Sequence, residues 1–121
     1  MQLSKKRMSL SLEKQTRKML LGVLTDERDV NRLESIFNAL FTESEQMAAA
    51  KRLAIAVYLD KGRSYENIRE NLKVSSATIA TVAEQIGDSG YQELIKRIKA
   101  EEWAENWSKK LGKNLRKFLP V

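Results

Sequence analysis

What most limits the folds open to this chain is its shortage of backbone breakers. Its 121 residues include one proline, at position 120, and five glycines, and these two residue types interrupt regular structure most strongly. Apolar residues recur at steps of three and four, the helical period, with no alternating strand pattern and no internal repeat. Lys14 to Leu24 places Met19, Leu20, Val23 and Leu24 on one side, and Thr25 before DERD predicts an N-cap with acids in the following first turn. Val30, Leu33, Ile36, Phe37, Leu40 and Phe41 form a second stripe. TESE then fits a capping box in which Glu45 reaches back to Thr42. The helix it opens carries Met47, Ala50, Leu53, Ala54, Val57 and Tyr58 on its apolar side and stops at Gly62, a left-handed C-cap. The predicted fold class is all-α, with a single core for a chain of this length.

Two short helices follow. Ser64 caps YENIRENL, with Ile68 and Leu72 inward, and Ser75 or Ser76 caps ATIATVAEQI, with Ile79, Val82, Ala83 and Ile86 inward. Ile68, Leu72, Val74, Ile79 and Val82 fall where a helix-turn-helix needs apolar side chains to hold its two helices at a steep angle. Two positions depart from the usual pattern. Lys73 stands at the turn position normally given to glycine and must take a left-handed conformation or reshape the turn. Arg69 stands where a small residue is common, so the helix contact must leave room for its stem. The competing reading is a bundle in which these helices only pack. Against it stand Ser76, Ala77, Ala80 and Thr81, a small-residue outward face that lets a helix lie deep in a major groove, its methyls against thymine methyls. Such a face reads sequence weakly. Affinity then has to come from phosphate contacts by Arg63, Tyr65, Arg69 and Lys73, and from backbone amides at the helix start near Ser75.

Charge and missing residue types narrow the function. Without cysteine or histidine, disulfides, thiolate metal sites, the commonest general base and the commonest metal ligand are gone, so neither an enzyme nor a cofactor is predicted. No segment approaches the roughly 18 apolar residues of a membrane span, and charges occupy the start where a signal peptide would be apolar, which predicts a cytoplasmic protein with no membrane partner. The net charge of +6 is uneven: residues 1–22 carry +5, residues 108–121 carry +5, and the middle is left at −4. The expected organisation is a basic N-terminal arm over 1–18, a helical domain over 19–107 with its helix-turn-helix at 64–86, and a basic C-terminal tail over 108–121. A polyanion partner suits that distribution.

The runs LFTESEQMAAAKRLAIAVYLDKG and SYENIRENLKVSSATIATVAEQI resemble the tryptophan-repressor superfamily in order, spacing and motif, and MLLGVLTDERDVNRLESIFNALF resembles the paired N-terminal helices of its uncharacterised tryptophan-repressor-like branch. The most specific pieces are the helix start at Leu40 to Glu45, Arg52, Gly62 and the ATI of Ala77 to Ile79. The resemblance implies an intertwined homodimer whose two reading heads enter successive major grooves of double-stranded DNA. A partner chain is one way to bury the Val30 to Phe41 stripe; burial within one chain is the other. The tryptophan site carries over only in part. Phe41 and Thr42 match the pocket segment and Arg52 matches one of the two arginines that sandwich the indole. The second arginine aligns with Thr81, and the glycine that makes room for the ring aligns with Val82.

Arg52 is left as a possible anion or ligand contact, although its surroundings, with Glu43, Glu45 and Asp60 near in sequence, predict an ion pair. Trp103 and Trp107 read as the apolar seam of a packing helix rather than a base-stacking pair, and Glu101, Glu102 and Glu105 as a solvated face. The terminal KKLGKNLRKF can be a solvated tail or a contact to DNA flanks, RNA or a membrane surface. Three functions remain open: a repressor-like transcription regulator that does not depend on tryptophan, a helical protein-interaction adaptor, and a DNA-binding accessory of replication or recombination. A motif does not say what the bound site is for.

Overall fold

A computed structural model describes residues 6–118, without the side chains of residues 107, 108 and 111–118. The described residues are helical with no strand: α1 (Leu10–Asp26), α2 (Val30–Leu40), α3 (Glu43–Asp60), α4 (Tyr65–Leu72), α5 (Ser76–Gln85) and α6 (Ser89–Phe118). Helix thus reaches into both segments read as basic tails. The chain divides into two compact units, Met1–Gln46 and Met47–Val121.

In the first unit, Ser9 caps α1 by accepting the Leu12 N–H. Thr25 is not the next cap. It lies inside α1 and donates its hydroxyl to the Leu21 carbonyl at 2.7 Å, while Asp29 caps α2 by accepting the Asn31 N–H at 2.8 Å. A carboxylate next to the helix start outcompetes a hydroxyl that can turn back onto its own helix. No residue of α1 or α2 is buried. Leu33, Ile36, Phe37 and Phe41 are half-buried, with the two phenylalanine rings 5.3 Å apart, but Val30 is 74% and Met19 71% exposed. The unit leaves much of its apolar stripe in water. Its last corner is tightly bonded: Thr42 N–H donates to Glu45 Oε1 at 2.9 Å, Glu45 N–H to Thr42 Oγ1 at 3.1 Å, and the Gln46 amide to the Phe41 carbonyl at 3.1 Å. This is the predicted capping box. The bond from the Thr42 backbone, then that from its side chain, holds the Glu45 carboxyl below its ordinary pKa.

The second unit has the core, made by Ile55, Ala56, Ile68, Ile79, Val82 and Ile95. Ile55 and Ala56 lie outside the apolar side expected for α3, where Met47 is 52% exposed and Leu53, Ala54, Val57 and Tyr58 are half-buried. AAAKRLAIAVYL is apolar nearly all round, so periodicity alone selects no face. Gly62, at φ 77°, closes α3 as predicted. Its N–H donates to the Leu59 carbonyl and the Arg63 N–H to the Tyr58 carbonyl, the two bonds of a Schellman cap. α6 is anchored by Ile95, with Tyr91 beside the core, and by ion pairs from Lys99 to Asp60 at 2.8 Å and Lys61 to Glu102 at 3.1 Å. Trp103 is 64% exposed and Leu94 is exposed too, so neither belongs to this unit's core. The Trp107 and Leu111 side chains lie outside the described residues.

Candidate nucleic-acid interface

The α4–turn–α5 segment follows from local chemistry. The Ser64 hydroxyl accepts the Asn67 N–H at 3.1 Å and starts α4; the Ser75 hydroxyl accepts the Thr78 N–H at 3.2 Å and starts α5. Between them Lys73 takes φ 54° and ψ 53°, the left-handed conformation its position demands. Two bonds hold it there: its N–H donates to the Arg69 carbonyl at 2.9 Å, and its carbonyl accepts from Lys51 Nζ at 3.2 Å. Lys51 was not singled out by sequence reasoning; a cation four residues before the buried Ile55 gave no signal that it reaches the end of another helix, where a positive charge is favoured. Ile68, Ile79 and Val82 are buried and Leu72 and Val74 half-buried, so all five inward positions are met.

The outward positions divide into cations at the edges and a small-residue surface on α5. Arg63, Tyr65, Arg69 and Lys73 are exposed. The Arg63 guanidinium lies 4.3 Å over the Tyr58 ring and also meets Asn67 Oδ1, which sets its direction while leaving it in solvent. Arg69 Nη1 donates to Ser76 Oγ at 2.8 Å, across the turn. Ser76, Ala77 and Thr81 are exposed along α5. Ser76 accepts from Arg69 and keeps its own proton for an acceptor. Thr81 has its proton bonded to the Ala77 carbonyl at 3.0 Å, so outward it offers a methyl and a lone pair. Ser75 is spent on capping and on the Thr78 hydroxyl, 2.9 Å away, and its neighbourhood can offer only backbone. Ala80 is half-buried, less outward than its position suggested. Glu66 and Glu70 lie beside the cations on α4, and Lys51 adds a positive group behind the turn.

Arg52 does not make the ion pair predicted for it. Among the described residues Asp60 is taken by Lys99 and Glu45 by its capping box, and the exposed guanidinium of Arg52 has no carboxylate partner. It borders instead a shallow cleft of about 240 Å³ with Thr78, Thr81, Val82, Gln85 and Tyr91. Val82 is 1% exposed, its side chain in the core. The floor of the cleft is therefore a filled position, and Arg52 is its one cation.

A family model described as Trp repressor protein matches residues 15–99, from α1 through the whole of α4 and α5 into α6. No curated protein and no solved structure matches the chain.

Proposed function

The chain belongs to the Trp repressor protein family, a family of DNA-binding regulators, and from that premise we propose that it is a transcription regulator of the repressor type. It acts through α4 and α5 as a helix-turn-helix. The observation that carries this reading is the division of α5, whose Ile79 and Val82 are sealed in the core while Ser76, Ala77 and Thr81 line the opposite, solvent face. Arg63, Tyr65, Arg69 and Lys73 take phosphates on the rim, with the backbone at Ser75 and the small side chains of α5 toward the base edges. Ala80 contributes at the margin. Direct readout is modest, so affinity is dominated by phosphate contacts.

The working species is a homodimer formed through the first unit, whose exposed Met19, Leu21, Val30 and Leu40 are more apolar surface than a monomer of this size keeps in water. Binding does not require tryptophan: Thr81 supplies no second guanidinium, and Val82 fills the space a ring would need. Selection of duplexes from a random pool by the purified protein tests the reading. A common motif is expected, bound with a log–log salt slope of about −4 to −5 for four to six neutralised phosphates. Recovery of no motif, with salt-insensitive capture of protein partners, would assign the same face to an adaptor.

A further inference from the structure

Lys51 and Tyr58 lie two turns apart on α3 and so within about 20° of one side of the helix. Each holds one of the cations that flank α4. At the start of α4, Tyr58 holds Arg63 twice: its carbonyl accepts the Arg63 N–H at 3.1 Å, and its ring lies 4.3 Å under the guanidinium. At the end of α4, Lys51 Nζ donates to the Lys73 carbonyl at 3.2 Å. Ile55, on the same side of α3 between them, is sealed in the core with Ile68 of α4. Two turns of α3 span roughly 10 Å and the eight residues of α4 roughly 12 Å, so one side of α3 reaches both ends of α4.

α4 has its own cap at Ser64 and its own buried residue at Ile68, so these contacts add little to forming it. They act on what stands just outside it. Tyr58 directs the Arg63 guanidinium itself, and Lys51 fixes the backbone from which the Lys73 side chain extends. Free arginine and lysine side chains range over many rotamers, which a contact made only on binding would have to freeze.

We propose that Lys51 and Tyr58 are positioning residues that set the separation of the phosphate contacts made by Arg63 and Lys73, and that through this separation the head selects DNA by the geometry of its backbone. The inference rests on the reading of Arg63 and Lys73 as phosphate contacts. Loose cations follow whatever path the phosphates take and add affinity without preference. Cations at a set separation favour duplexes whose phosphates match it or bend to match at low cost, and that cost depends on base steps the protein never touches. Backbone geometry thus adds a source of specificity to the modest direct readout of Ser76, Ala77 and Thr81.

The test uses the full-length protein and duplexes that keep the selected bases under α5 while the neighbouring steps change from stiff A-tract to flexible TA and CA steps. The parent is expected to rank this set over on the order of tenfold in affinity. Tyr58→Leu and Lys51→Met should narrow the range to about twofold at an unchanged salt slope, since no phosphate contact is removed. Tyr58→Phe and Lys51→Arg, which keep the ring and the donor, should keep the range. Each residue has its own pair of variants, so loss of folding in one, seen by urea unfolding, leaves the other to decide. A parent indifferent to the neighbouring steps overturns the proposal while α4 and α5 remain the reading head, as do Tyr58→Leu and Lys51→Met proteins that rank the set as the parent does. A slope lowered by about 1 in Lys51→Met would make its ammonium a phosphate contact and overturn its positioning role. A parent without salt-dependent duplex binding overturns the reading of the head itself.

Discussion

Arg69 and Ser76 are bonded to each other across the turn at 2.8 Å, so a cation suited to phosphate and a hydroxyl suited to a base edge share one geometry. The bond restrains a flexible guanidinium before DNA arrives, which lowers the ordering cost of a phosphate contact. Arg69→Gln removes one phosphate contact and is expected to weaken all sequences evenly and reduce the salt slope by about 1. Ser76→Ala leaves the slope as it is, lowers affinity for all sequences modestly by freeing the guanidinium, and changes the ranking of sequences. Measurement of both variants over a salt series separates the roles, and equal slopes for Arg69→Gln and the parent would count against a phosphate role.

Lys73 separates stability from binding. A non-glycine residue in the left-handed region costs about 1 kcal/mol or more, and glycine there relieves it. Lys73→Gly should therefore raise the denaturation midpoint or leave it level, while lowering DNA affinity and the salt slope. A β-branched residue does the reverse on stability: Lys73→Val is expected to lose about 1–2 kcal/mol relative to glycine. Urea unfolding of the three proteins checks the order.

Tryptophan should have no effect on DNA affinity, and calorimetry should find no micromolar binding. Rebuilding the missing site is costly, because Val82 is a core residue. Val82→Gly opens a hole and weakens α5, for about 2–4 kcal/mol of lost stability. Thr81→Arg, at an exposed position, changes stability by about 0.5 kcal/mol or less. Tight tryptophan binding by the parent protein would show that Arg52 and its cleft suffice.

These residues also show what the sequence made legible. The α4–α5 segment could be read almost position by position because its signals are local: Ser64 and Ser75 cap within three residues, and the inward aliphatics follow one helical period. Lys73 stands at the turn position normally given to glycine, which left a left-handed conformation or a reshaped turn, and it takes the first. Legibility failed where distant groups compete. Asp60 went to Lys99 on α6 rather than to Arg52, and Thr25 lost its cap to Asp29. It failed again on α3, whose all-round apolar sequence concealed that Ile55 and Ala56 are the buried pair.

The Glu45 carboxyl gives the corner between α2 and α3 a pH dependence. Its pKa is lowered in the folded chain by the Thr42 bonds, so the unfolded state binds the proton more readily. The stabilisation is present above the ordinary carboxylate pKa and is lost as pH falls through the lowered one. Glu45→Gln should flatten that part of the acid limb in a series of thermal melts, and Thr42→Ala should cost about 1 kcal/mol at neutral pH. An acid limb identical in Glu45→Gln and parent would mean that the lowered pKa does not couple to folding.

The first unit supplies the test of the dimer. Met19 and Val30 are each more than two-thirds exposed, at 71% and 74%, so if they stay in water a glutamate at either position changes stability by about 0.5 kcal/mol or less. If a second copy covers them, the carboxylate is buried without a partner and costs several kcal/mol, about a hundredfold or more in the dimer dissociation constant. Sedimentation equilibrium is expected to show a dimer for the parent and a shift to monomer for Met19→Glu and Val30→Glu, with helix content largely kept because Ile55, Ile68, Ile79 and Val82 form a core of their own. DNA affinity should fall with the dimer, since each monomer holds only one reading head. A parent that sediments as a monomer would overturn the dimer, and glutamate variants that stay dimeric would place the interface elsewhere; either leaves the apolar stripe of α2 without this explanation.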